Sequence, residues 1–556
     1  MRTRSRRRSA FGRALYTAVA CGLAACSGNG SSGPASDASG SAPGGPPASS
    51  GASAIDVLTW HNDAARTGQD LAETILTPAT VNTANFGLKA MWAVDGLVNA
   101  QPLVAGAVAL PGGSVHDLVI AATEHDTVYA FDAQSGTLLW QKSMLGAGET
   151  TSDDRGCPQV TPEVGITATP TIDRTLGPSG TVFVAASSKS GSGQYIQRLH
   201  ALDLASGAER TGSPIVVQAT YPGHGDNSAG GVVTFDPAYY NERAALLVLG
   251  GVLVTAWGSH CDFRPYTGWI MSFDEATLAV RSVLNVTPNG EGGAFWSSGS
   301  GPAADAGGSL YLLAGNGTFD TTLTASGLPS SGDFGNGFLR IATAGSLTVA
   351  DYFATLDTVA QSNGDSDLGS GGAMVLPDQT DASGAVRHLA VGAGKDAHIY
   401  VVDRDSMGKF DAAANHAWQT IGGALGGSVF SSPAYYNGAV YYGAVGAPLR
   451  RFALSSAQLA GTASSQSSTL FGFPGTTPSV SANGAAGAII WAVENGSPSV
   501  LHAYDATDLT RELYNSAHNA ARDNLGPGNK FITPTIAGGR VYVGTSNSVA
   551  VFGLLH

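Results

Sequence analysis

Charged residues are scarce in this chain of 556 residues, and basic ones are the scarcer kind. Only 13% of the residues are charged, and 28 Lys and Arg face 42 Asp and Glu, which gives a formal net charge of −14. Six of the arginines lie in residues 1–25, a segment that we expect to be removed, so the excess of acid grows further. No basic face remains to neutralise phosphates, and this excludes nucleic acid as a partner.

Several catalytic and membrane signatures are also missing. The twelve His residues form no HExxH motif, and there is no nucleophile elbow and no Walker loop. The chain has no CxxCH motif, so it carries no attached c-type haem. The apolar run AALLVLGGVLVTA at 244–256 is too short to span a bilayer and contains Gly-Gly, which predicts two adjoining buried strands.

Cysteine is nearly absent, with four residues in the whole chain. Cys21 and Cys26 belong to the N-terminal segment, which leaves Cys157 and Cys261. In an oxidising compartment this pair can form one disulfide, or both residues can stay thiols. A metal site is the weaker alternative, because neither cysteine lies in a CxxC motif and only His260 is adjacent to one of them.

The N-terminus predicts export. MRTRSRRR at 1–8 is positively charged, residues 14–25 are apolar, and LAAC, which ends at Cys26, has the small residues typical of a lipoprotein cleavage site. We therefore interpret 1–25 as a lipoprotein signal peptide and Cys26 as the lipidated residue; alternatively, Cys26 is an ordinary residue of a signal sequence without lipid. Residues 26–54 are rich in Gly, Ser, Ala and Pro and are expected to form a disordered tether. The protein is then extracytoplasmic and contacts a bacterial membrane, on its periplasmic or cell-surface side, only through this lipid.

What the chain does have is a repeat. An apolar run that closes on a short turn of Asp with Gly or Ser recurs, most fully as VYAFDAQSGTLLWQ at 128–141 and again as LHAYDATDLTREL at 501–513. Each copy alternates apolar and polar positions, which is typical of a strand, a turn and a second strand. Upstream lie eight leading strands rich in small residues: QPLVAG at 101, ATPTID at 168, GGVVTF at 230, SGPAAD at 300, GGAMVL at 371, SSPAYY at 431, TTPSVS at 476 and ITPTIA at 532. Their spacing of about 62 residues suits one four-stranded propeller blade per repeat.

The composition agrees with this interpretation. The chain has 75 Gly and is 43% hydrophobic, which favours turn-rich β structure. We predict an all-β fold over residues 55–556, an eight-bladed β-propeller of four-stranded antiparallel blades. Seven blades are the alternative, because the third and sixth repeats have weaker turn signatures. We expect the ring to close by pairing the lone strand at 86–95 with the C-terminal strands at 533–555, which removes an exposed edge.

One part of the chain resembles a known family. GGAFWSSGSGPAADAGGSLYLLAGNGTFD at 292–320 is similar to the segment of PQQ-dependent quinoprotein alcohol dehydrogenases that holds the tryptophan under the quinone and a calcium-binding Asn. Further segments resemble the family in the same order: WGSHCDFRPYTGWIMSFD at 257, GDFGNGFLRI at 332, SDLGSGG at 366 and AGKDAHIYVVDRDSMG at 393. The resemblance extends over roughly residues 57–554, and therefore concerns the whole ring.

The resemblance implies a site for PQQ and Ca²⁺ at which an alcohol or a sugar is oxidised. Trp296 would stack on the quinone, and Lys395 would place positive charge beside it. Asn316, Asp333 and Asp262 would offer oxygen ligands to the metal ion. Asp333 would also be the catalytic base that takes the alcohol proton.

Each of these residues also has a structural interpretation. Trp296 can fill the space between two blades, and Asn316 in Gly-Asn-Gly can be present because Asn accepts a left-handed turn conformation. Asp333 can be a solvated turn residue, and Lys395 with Asp396 can form an exposed ion pair.

The chain also departs from the family. The vicinal cysteine pair is represented by Cys157 alone, residues 259–262 stand where the calcium-binding Glu is expected, and 318–320 replace a Trp-bearing segment. Without an attached haem, any electron acceptor must be external. The alternative hypothesis is therefore a non-catalytic propeller scaffold that binds a protein or a glycan in the cell envelope.

Two further segments have residue patterns that bear on function. TWHNDAARTG at 59–68 places several polar side chains just before the ring, where they can line a central funnel or, as we favour, form a clasp across blades. NGDSDLG at 363–369 has the alternating oxygen donors of a calcium loop but lacks the bidentate Glu, so it is a weak candidate.

Overall fold

The structure, a computed structural model, describes residues 55–556. The predicted signal peptide (1–25), the lipidation site Cys26 and the predicted tether (26–54) lie outside the described residues and stay predictions. No helix among residues 55–556 is long and apolar enough to cross a membrane.

The described chain consists mainly of strands. In chain order these are β1 Gln69–Asp70, β2 Phe86–Ala93, β3 Leu103–Ala109, β4 Val115–Ala122, β5 Thr127–Asp132, β6 Leu138–Ser143, β7 Glu149–Asp153, β8 Glu163–Val164, β9 Thr171–Asp173, β10 Thr181–Ser190, β11 Tyr195–Asp203, β12 Ile215–Val216, β13 Thr220–Pro222, β14 Ser228–Ala229, β15 Val232–Thr234, β16 Tyr240–Asn241, β17 Leu247–Leu249, β18 Val252–Ala256, β19 Gly258–Ser259, β20 Trp269–Asp274, β21 Val280–Asn285 and β22 Ala303–Ala304. The second half continues with β23 Leu310–Leu313, β24 Phe338–Ala342, β25 Thr348–Phe353, β26 Met374–Val375, β27 Gln379–Thr380, β28 Val386–Arg387, β29 Leu389–Ala393, β30 Ile399–Asp403, β31 Gln419–Ile421, β32 Ala434–Tyr436, β33 Ala439–Gly443, β34 Ala447–Ser455, β35 Gln458–Leu459, β36 Ser465–Phe471, β37 Ser479–Asn483, β38 Ala486–Glu494, β39 Val500–Asp505, β40 Glu512–Asn515, β41 Thr535–Ala537, β42 Arg540–Gly544 and β43 Ser548–Leu554. The helices are α1 Thr358–Asn363 and α2 Ala520–Asp523, with 3₁₀ turns at Pro237–Tyr239, Ser297–Gly299, Leu368–Ser370 and Ser516–Asn519.

Most strands of the described part pair into eight antiparallel sheets with a core of four strands each. Numbered along the chain, they are sheet one β3-β4-β5-β6, sheet two β9-β10-β11-β12, sheet three β17-β18-β20-β21, sheet four β22-β23-β24-β25, sheet five β26-β29-β30-β31, sheet six β32-β33-β34-β36, sheet seven β37-β38-β39-β40 and sheet eight β41-β42-β43-β2. Short additional strands extend sheets two, six and seven. The fold is all-β as predicted, and the eight-bladed count itself stays a prediction.

The recurring aspartate of the repeat closes the turn between the third and fourth strands. In sheet one, the Asp132 carboxylate accepts hydrogen bonds from the backbone N–H of Gln134 at 3.1 Å and of Ser135 at 2.6 Å. Asp203, Asp274 and Asp505 make the equivalent bonds in sheets two, three and seven. An Asp side chain can replace the backbone partner that a tight turn lacks, which explains why the motif recurs in these sheets.

A short segment at residues 57–68, here called the clasp, contacts the leading strand region of every sheet. It hydrogen-bonds directly to seven of them, at Val104, Ile172, Leu246, Ala304, Val375, Tyr435 and Val480. The contact with sheet eight runs through Gln101, which accepts from the backbone of His61 and donates to Thr535. One short segment can touch all these strands only if they surround it, which is the arrangement at the axis of a propeller. This confirms the interpretation of residues 59–68 as a clasp.

Sheet eight joins the two ends of the ring. Strand β2 pairs antiparallel with β43, with Phe86 opposite Leu554 and Ala93 opposite Ser548. The predicted closure is confirmed. Because β43 is covered on both sides, the C-terminal strand leaves no free edge there.

One leading strand was assigned wrongly from the sequence. GGVVTF at 230 contributes β15, which belongs to a small separate sheet with β13 and β14. The leading strand of sheet three is β17 (Leu247–Leu249), which pairs with β18 within the apolar run at 244–256. The prediction of two adjoining strands in that run is confirmed, and the first of them has the role that we gave to GGVVTF.

Candidate functional site

Three buried or half-buried side chains, Arg243, Trp296 and Phe531, meet on the segments that precede sheets three, four and eight. The guanidinium carbon of Arg243 lies 5.4 Å from the ring centre of Trp296 and 3.9 Å from that of Phe531. Arg243 is only 2% exposed, and its Nε and Nη1 atoms have no hydrogen-bond partner within the described residues. Burial lowers the pKa of Arg243 to about 10, and the charge of Glu124 opposes this fall. The result is a buried cation with unused donors, stacked between aromatic rings.

A second cluster is built by the turn that follows α1. The ammonium group of Lys395 forms ion pairs with Asp365 and, at 2.9 Å, with Asp367. Asn316 Nδ2 donates to the Asp365 carboxylate at 2.6 Å. The end of α1 is held against the turn that contains Asn316. The Ser362 hydroxyl accepts a hydrogen bond from the backbone N–H of Gly317 and donates one to the carbonyl oxygen of the same residue.

Gly315 joins the two clusters. A Cβ atom placed on Gly315 would lie 3.4 Å from an Asp367 carboxylate oxygen and 3.6 Å from Cδ1 of Trp296. Trp296, Asn316 and Lys395 are therefore brought together, with Asp367 between them.

Asp367 is the buried carboxylate of this site. Burial raises its pKa, Lys395 opposes the rise, and the charges of Asp262 and Asp365 add to it. Asp262 thus lies near enough to act on Asp367, although its own hydrogen bonds are with Ser259 at 3.1 Å and Tyr266 at 2.6 Å. Asp262 is an exposed residue at the edge of the site.

Asp333 belongs to a different network. Its carboxylate accepts hydrogen bonds from the backbone of Asn289 and from the Ser331 hydroxyl, both at 2.9 Å. Burial raises the pKa of Asp333, and the charge of Asp320 contributes to this rise. Within the described residues, no hydrogen bond or ion pair joins Asp333 to the group around Lys395. The contacts therefore favour Asp367 over Asp333 as the carboxylate of the site.

An aromatic wall, made of Phe430, Phe473 and Phe531, completes the surroundings. Phe473 meets Phe430 edge to face at 5.2 Å and Phe531 at 6.1 Å. Two cations flank the wall, because Lys395 Nζ lies 5.9 Å from the Phe430 ring and Lys530 Nζ lies 5.9 Å from the Phe473 ring. The wall was not predicted, because the three residues come from three separate loops.

A disulfide holds a loop beside this wall. Cys157 and Cys261 are bonded, with their Cα atoms 5.5 Å apart. The residue after Cys157, Pro158, accepts a hydrogen bond from Lys530 Nζ at 2.7 Å. Arg155 in the same loop lies 5.0 Å from the ring centres of both Tyr195 and Tyr239. These contacts fix the loop against β11, the turn at Pro237–Tyr239 and the segment that precedes β41.

Oδ1 of Asn316, whose Nδ2 donates to Asp365, is buried and accepts no hydrogen bond in the described part of the chain. Glu242 precedes Arg243 in the chain and is also buried. Burial raises the pKa of Glu242 well above its usual range. No three His, Cys, Asp or Glu side chains of residues 55–556 lie close enough to one another to hold a metal ion by themselves. A cation here would therefore need amide oxygens such as that of Asn316 in addition to carboxylates.

The fold is that of solved quinoprotein dehydrogenases. A quinohemoprotein alcohol dehydrogenase from Comamonas testosteroni matches with a TM-score of 0.60 at 14% identity, over 90% of this chain and 80% of its own. The quinohemoprotein alcohol dehydrogenase ADHIIG from Pseudomonas putida HK5 gives 0.60 at 13% identity with the same coverage. A europium-containing methanol dehydrogenase gives 0.55 at 12% identity, over 90% of this chain and 98% of its own. These matches show the fold, a β-propeller like that of quinoprotein alcohol dehydrogenases.

No protein-family model matches the chain, and no curated protein matches it. The likeness is therefore one of structure, and function has to be argued from the site.

Proposed function

We propose that this protein is an extracytoplasmic, lipid-anchored propeller dehydrogenase that binds a planar carboxylated quinone such as PQQ and oxidises an alcohol. The observation that carries the proposal is the convergence of Arg243, Trp296, Asp367 and Lys395 from the regions of sheets three, four and five. The names of the structural neighbours, alcohol and methanol dehydrogenases, agree with this class of reaction.

The donor set fits such a quinone. The partly exposed ring of Trp296 offers a flat apolar surface to a fused ring system. Arg243 has unused donors and Lys530 lies on a neighbouring aromatic ring, so two cations are available to carboxylates, while Lys395 is already paired with Asp365 and Asp367. Calcium would find oxygen donors in Asp367 and Asn316, and Oδ1 of Asn316 is buried without a partner.

The side chains of this site have separate roles in alcohol oxidation. When bound, the quinone would accept a hydride from the alcohol carbon. Asp367 is the group placed to take the hydroxyl proton, because burial raises its pKa and makes its carboxylate a stronger base. Lys395 holds this carboxylate in place through its ion pair and keeps positive charge beside the site. Asp367 thus takes the role that the sequence predicted for Asp333.

The test uses the full chain incubated with PQQ and Ca²⁺. We expect a quinone absorbance band that stays with the protein through gel filtration, and reduction of an artificial dye when an alcohol is added. Trp296→Ala should weaken quinone retention at least about tenfold, since the stacking surface is lost. Trp140→Ala is the matched control, because Trp140 is also partly exposed but lies in β6 of sheet one.

Absence of quinone retention by the unsubstituted protein would overturn the proposal. The propeller would then be left with the other predicted function, a scaffold that binds a protein or a glycan in the envelope.

A further inference from the structure

The candidate site occupies one end of the ring. Arg243, Trp296 and Asp367 lie in segments that lead from one sheet to the next, and Lys395 lies between the second and third strands of sheet five. Neighbouring strands of each four-stranded sheet are antiparallel, so the turns from first to second strand and from third to fourth strand lie at the opposite end. This opposite end is here called the turn end.

The described chain begins at the turn end. A Cβ atom placed on Gly538, in the turn between β41 and β42, would lie 3.2 Å from Cγ2 of Ile55. The next residue, Asp56, pairs at 3.3 Å with Arg174, which follows the first strand of sheet two. The predicted tether, with the predicted lipidation site Cys26, therefore joins the ring at the end that lies away from the candidate site.

After the clasp, the chain returns to the turn end and forms a surface segment at residues 71–80. The carbonyl of Leu71 accepts a hydrogen bond of 2.9 Å from Gly484, in the first turn of sheet seven. A Cβ atom placed on Gly539 would lie 2.9 Å from Cδ1 of Ile75. The segment therefore lies across the turns of sheets seven and eight, beside Ile55.

The exposed side chains of this segment are uncharged. They are Leu71, Ala72, Thr74, Ile75 and Ala79, and Leu71 and Ile75 are 44% and 47% exposed. The one charged residue of the segment, Glu73, is buried, and its carboxylate accepts hydrogen bonds from the backbone of Ile75 at 2.6 Å and of Gly539 at 2.8 Å. Apolar side chains thus face the water while the charge faces inward, which is typical of an interaction surface.

Further apolar side chains are exposed at the same end. Val115 and Leu138 each begin a strand directly after a turn of sheet one, and both are exposed. Sheets eight and one are joined there, because Arg540 donates a hydrogen bond of 3.0 Å to the carbonyl of Gln134, in the turn before Leu138. The exposed apolar positions therefore continue from sheet seven through sheet eight to sheet one.

We propose that the turn end at sheets seven, eight and one docks on the surface of a phospholipid bilayer, with Leu71 and Ile75 entering the headgroup region. A lipid surface is favoured over a protein partner because the chain that carries the predicted anchor leaves the ring at sheet eight, in the middle of this surface. Two weak attachments on one molecule reinforce each other, so the anchor and the apolar segment act together. Residues 71–80 contain no Lys or Arg, so the contact needs no anionic lipid.

This inference goes beyond the proposed dehydrogenase and is independent of the quinone. Its consequence for the ring is an orientation: the candidate site opens away from the bilayer, towards the aqueous side.

Fluorescence quenching on vesicles tests the docking in the lipid-bearing full chain. The vesicles are phosphatidylcholine with a nitroxide-labelled lipid, and an environment-sensitive fluorophore is attached at Ile75→Cys, since Cys157 and Cys261 are bonded to each other. We expect a blue shift and a loss of about half the emission or more, because the label enters the headgroup region. Leu470→Cys is the matched control, because Leu470 is 61% exposed and lies near the end of β36, where the chain crosses to sheet seven.

A second measurement isolates the surface from the anchor. The mature chain, residues 26–556, with Cys26→Ser should still float with phosphatidylcholine vesicles. Leu71→Ser with Ile75→Ser should weaken this binding at least about tenfold, because two apolar side chains no longer leave water. Leu470→Ser with Val359→Ser is the control, since both residues are exposed away from the turn end. Equal urea midpoints of the two double variants show that folding is intact.

Three results would overturn the inference. Equal quenching at both label positions would mean that only the anchor holds the protein at the membrane, and quenching at neither would mean that the ring stays clear of it. A dimer in gel filtration without lipid, which Leu71→Ser with Ile75→Ser converts to a monomer, would assign this surface to a second copy of the chain. Loss of docking with quinone retention intact would remove this inference alone, and docking without quinone retention would remove only the dehydrogenase.

Discussion

The Nε atom of Arg66 donates a hydrogen bond of 3.0 Å to the carbonyl oxygen of Pro302, 236 residues further along the chain. The same guanidinium donates to the carbonyls of Trp60 at 2.8 Å and Leu246 at 3.3 Å, and Arg66 is fully buried. One side chain of the clasp thus ties together sheets three and four, whose ends carry Arg243 and Trp296. Because the clasp holds these sheets together, it also sets the relative positions of the site residues that they carry.

Replacement of Arg66 by Met should therefore destabilise the whole ring. The change leaves several buried carbonyl oxygens without donors, and we expect a loss of about 2–4 kcal/mol in the free energy of unfolding. Urea denaturation followed by tryptophan fluorescence measures it. As a control, Arg281→Ala removes an exposed ion pair with Asp274 and should cost less than about 1 kcal/mol. If both variants lose the same free energy of unfolding, Arg66 stabilises the ring no more than an exposed ion pair does.

Much of the ring could be predicted from the sequence, because its signals are local. The turn aspartates such as Asp132 bond to atoms two or three residues away, so they recur with the strands. Local signals also explain the wrong assignment of the leading strand of sheet three, because they do not show which sheet a strand joins. GGVVTF at 230 has the small and β-branched residues of the other leading strands, and only the strand pairing shows that it belongs to the separate sheet of β13 to β15.

The candidate site was only partly predictable, because it depends on which loop reaches the axis. Asp333 and Asp367 both lie in loops rich in Gly and Ser, and nothing local separates them. The turn after α1 places Asp367 beside Lys395, whereas Asp333 bonds to its own neighbourhood. The sequence does carry a signal for Arg243, since Asn-Glu-Arg at 241–243 places two charges just before an apolar strand.

Reduction of the disulfide should lower stability strongly. Cys157 and Cys261 are 104 positions apart, and a cross-link that closes a loop of this size stabilises a fold by about 3–5 kcal/mol in the chain-entropy account. A phosphine reductant should lower the midpoint of urea unfolding of the unsubstituted protein accordingly. The double variant Cys157→Ala with Cys261→Ala should start at the lower midpoint and show no further change. A reductant effect that persists in the double variant would contradict this assignment.

The stability of sheet seven should depend on pH through His502. The His502 ring is buried, with Nδ1 at 2.7 Å from Glu512 and Nε2 at 3.3 Å from Glu494. Burial alone would lower the pKa of His502, but the two glutamates outweigh it and raise the pKa above 6.5. Because the folded pKa is raised, the stabilisation is complete below the unfolded pKa and is lost as pH rises through the folded value. The destabilisation caused by His502→Gln, measured by urea unfolding, should therefore be larger at about pH 5.5 than at about pH 8.5. The same cost at both pH values would mean that His502 is neutral throughout.

Asp367 and Asp333 give the sharpest comparison within the site. Asp367→Asn keeps the shape of the side chain but removes the group that would take the alcohol proton, so dye reduction by the PQQ-loaded protein should fall by about 10²-fold or more. Quinone retention should change far less, because Trp296 and Arg243 are intact. Asp333→Asn removes an equally buried carboxylate that contacts Asn289 and Ser331 instead, and should leave the rate within about threefold of the unsubstituted protein. Stopped-flow reduction of the bound quinone separates the chemical step from dye turnover. If Asp333→Asn abolishes this step and Asp367→Asn does not, the carboxylate of the site is the one that the sequence predicted, and the role given to Asp367 fails.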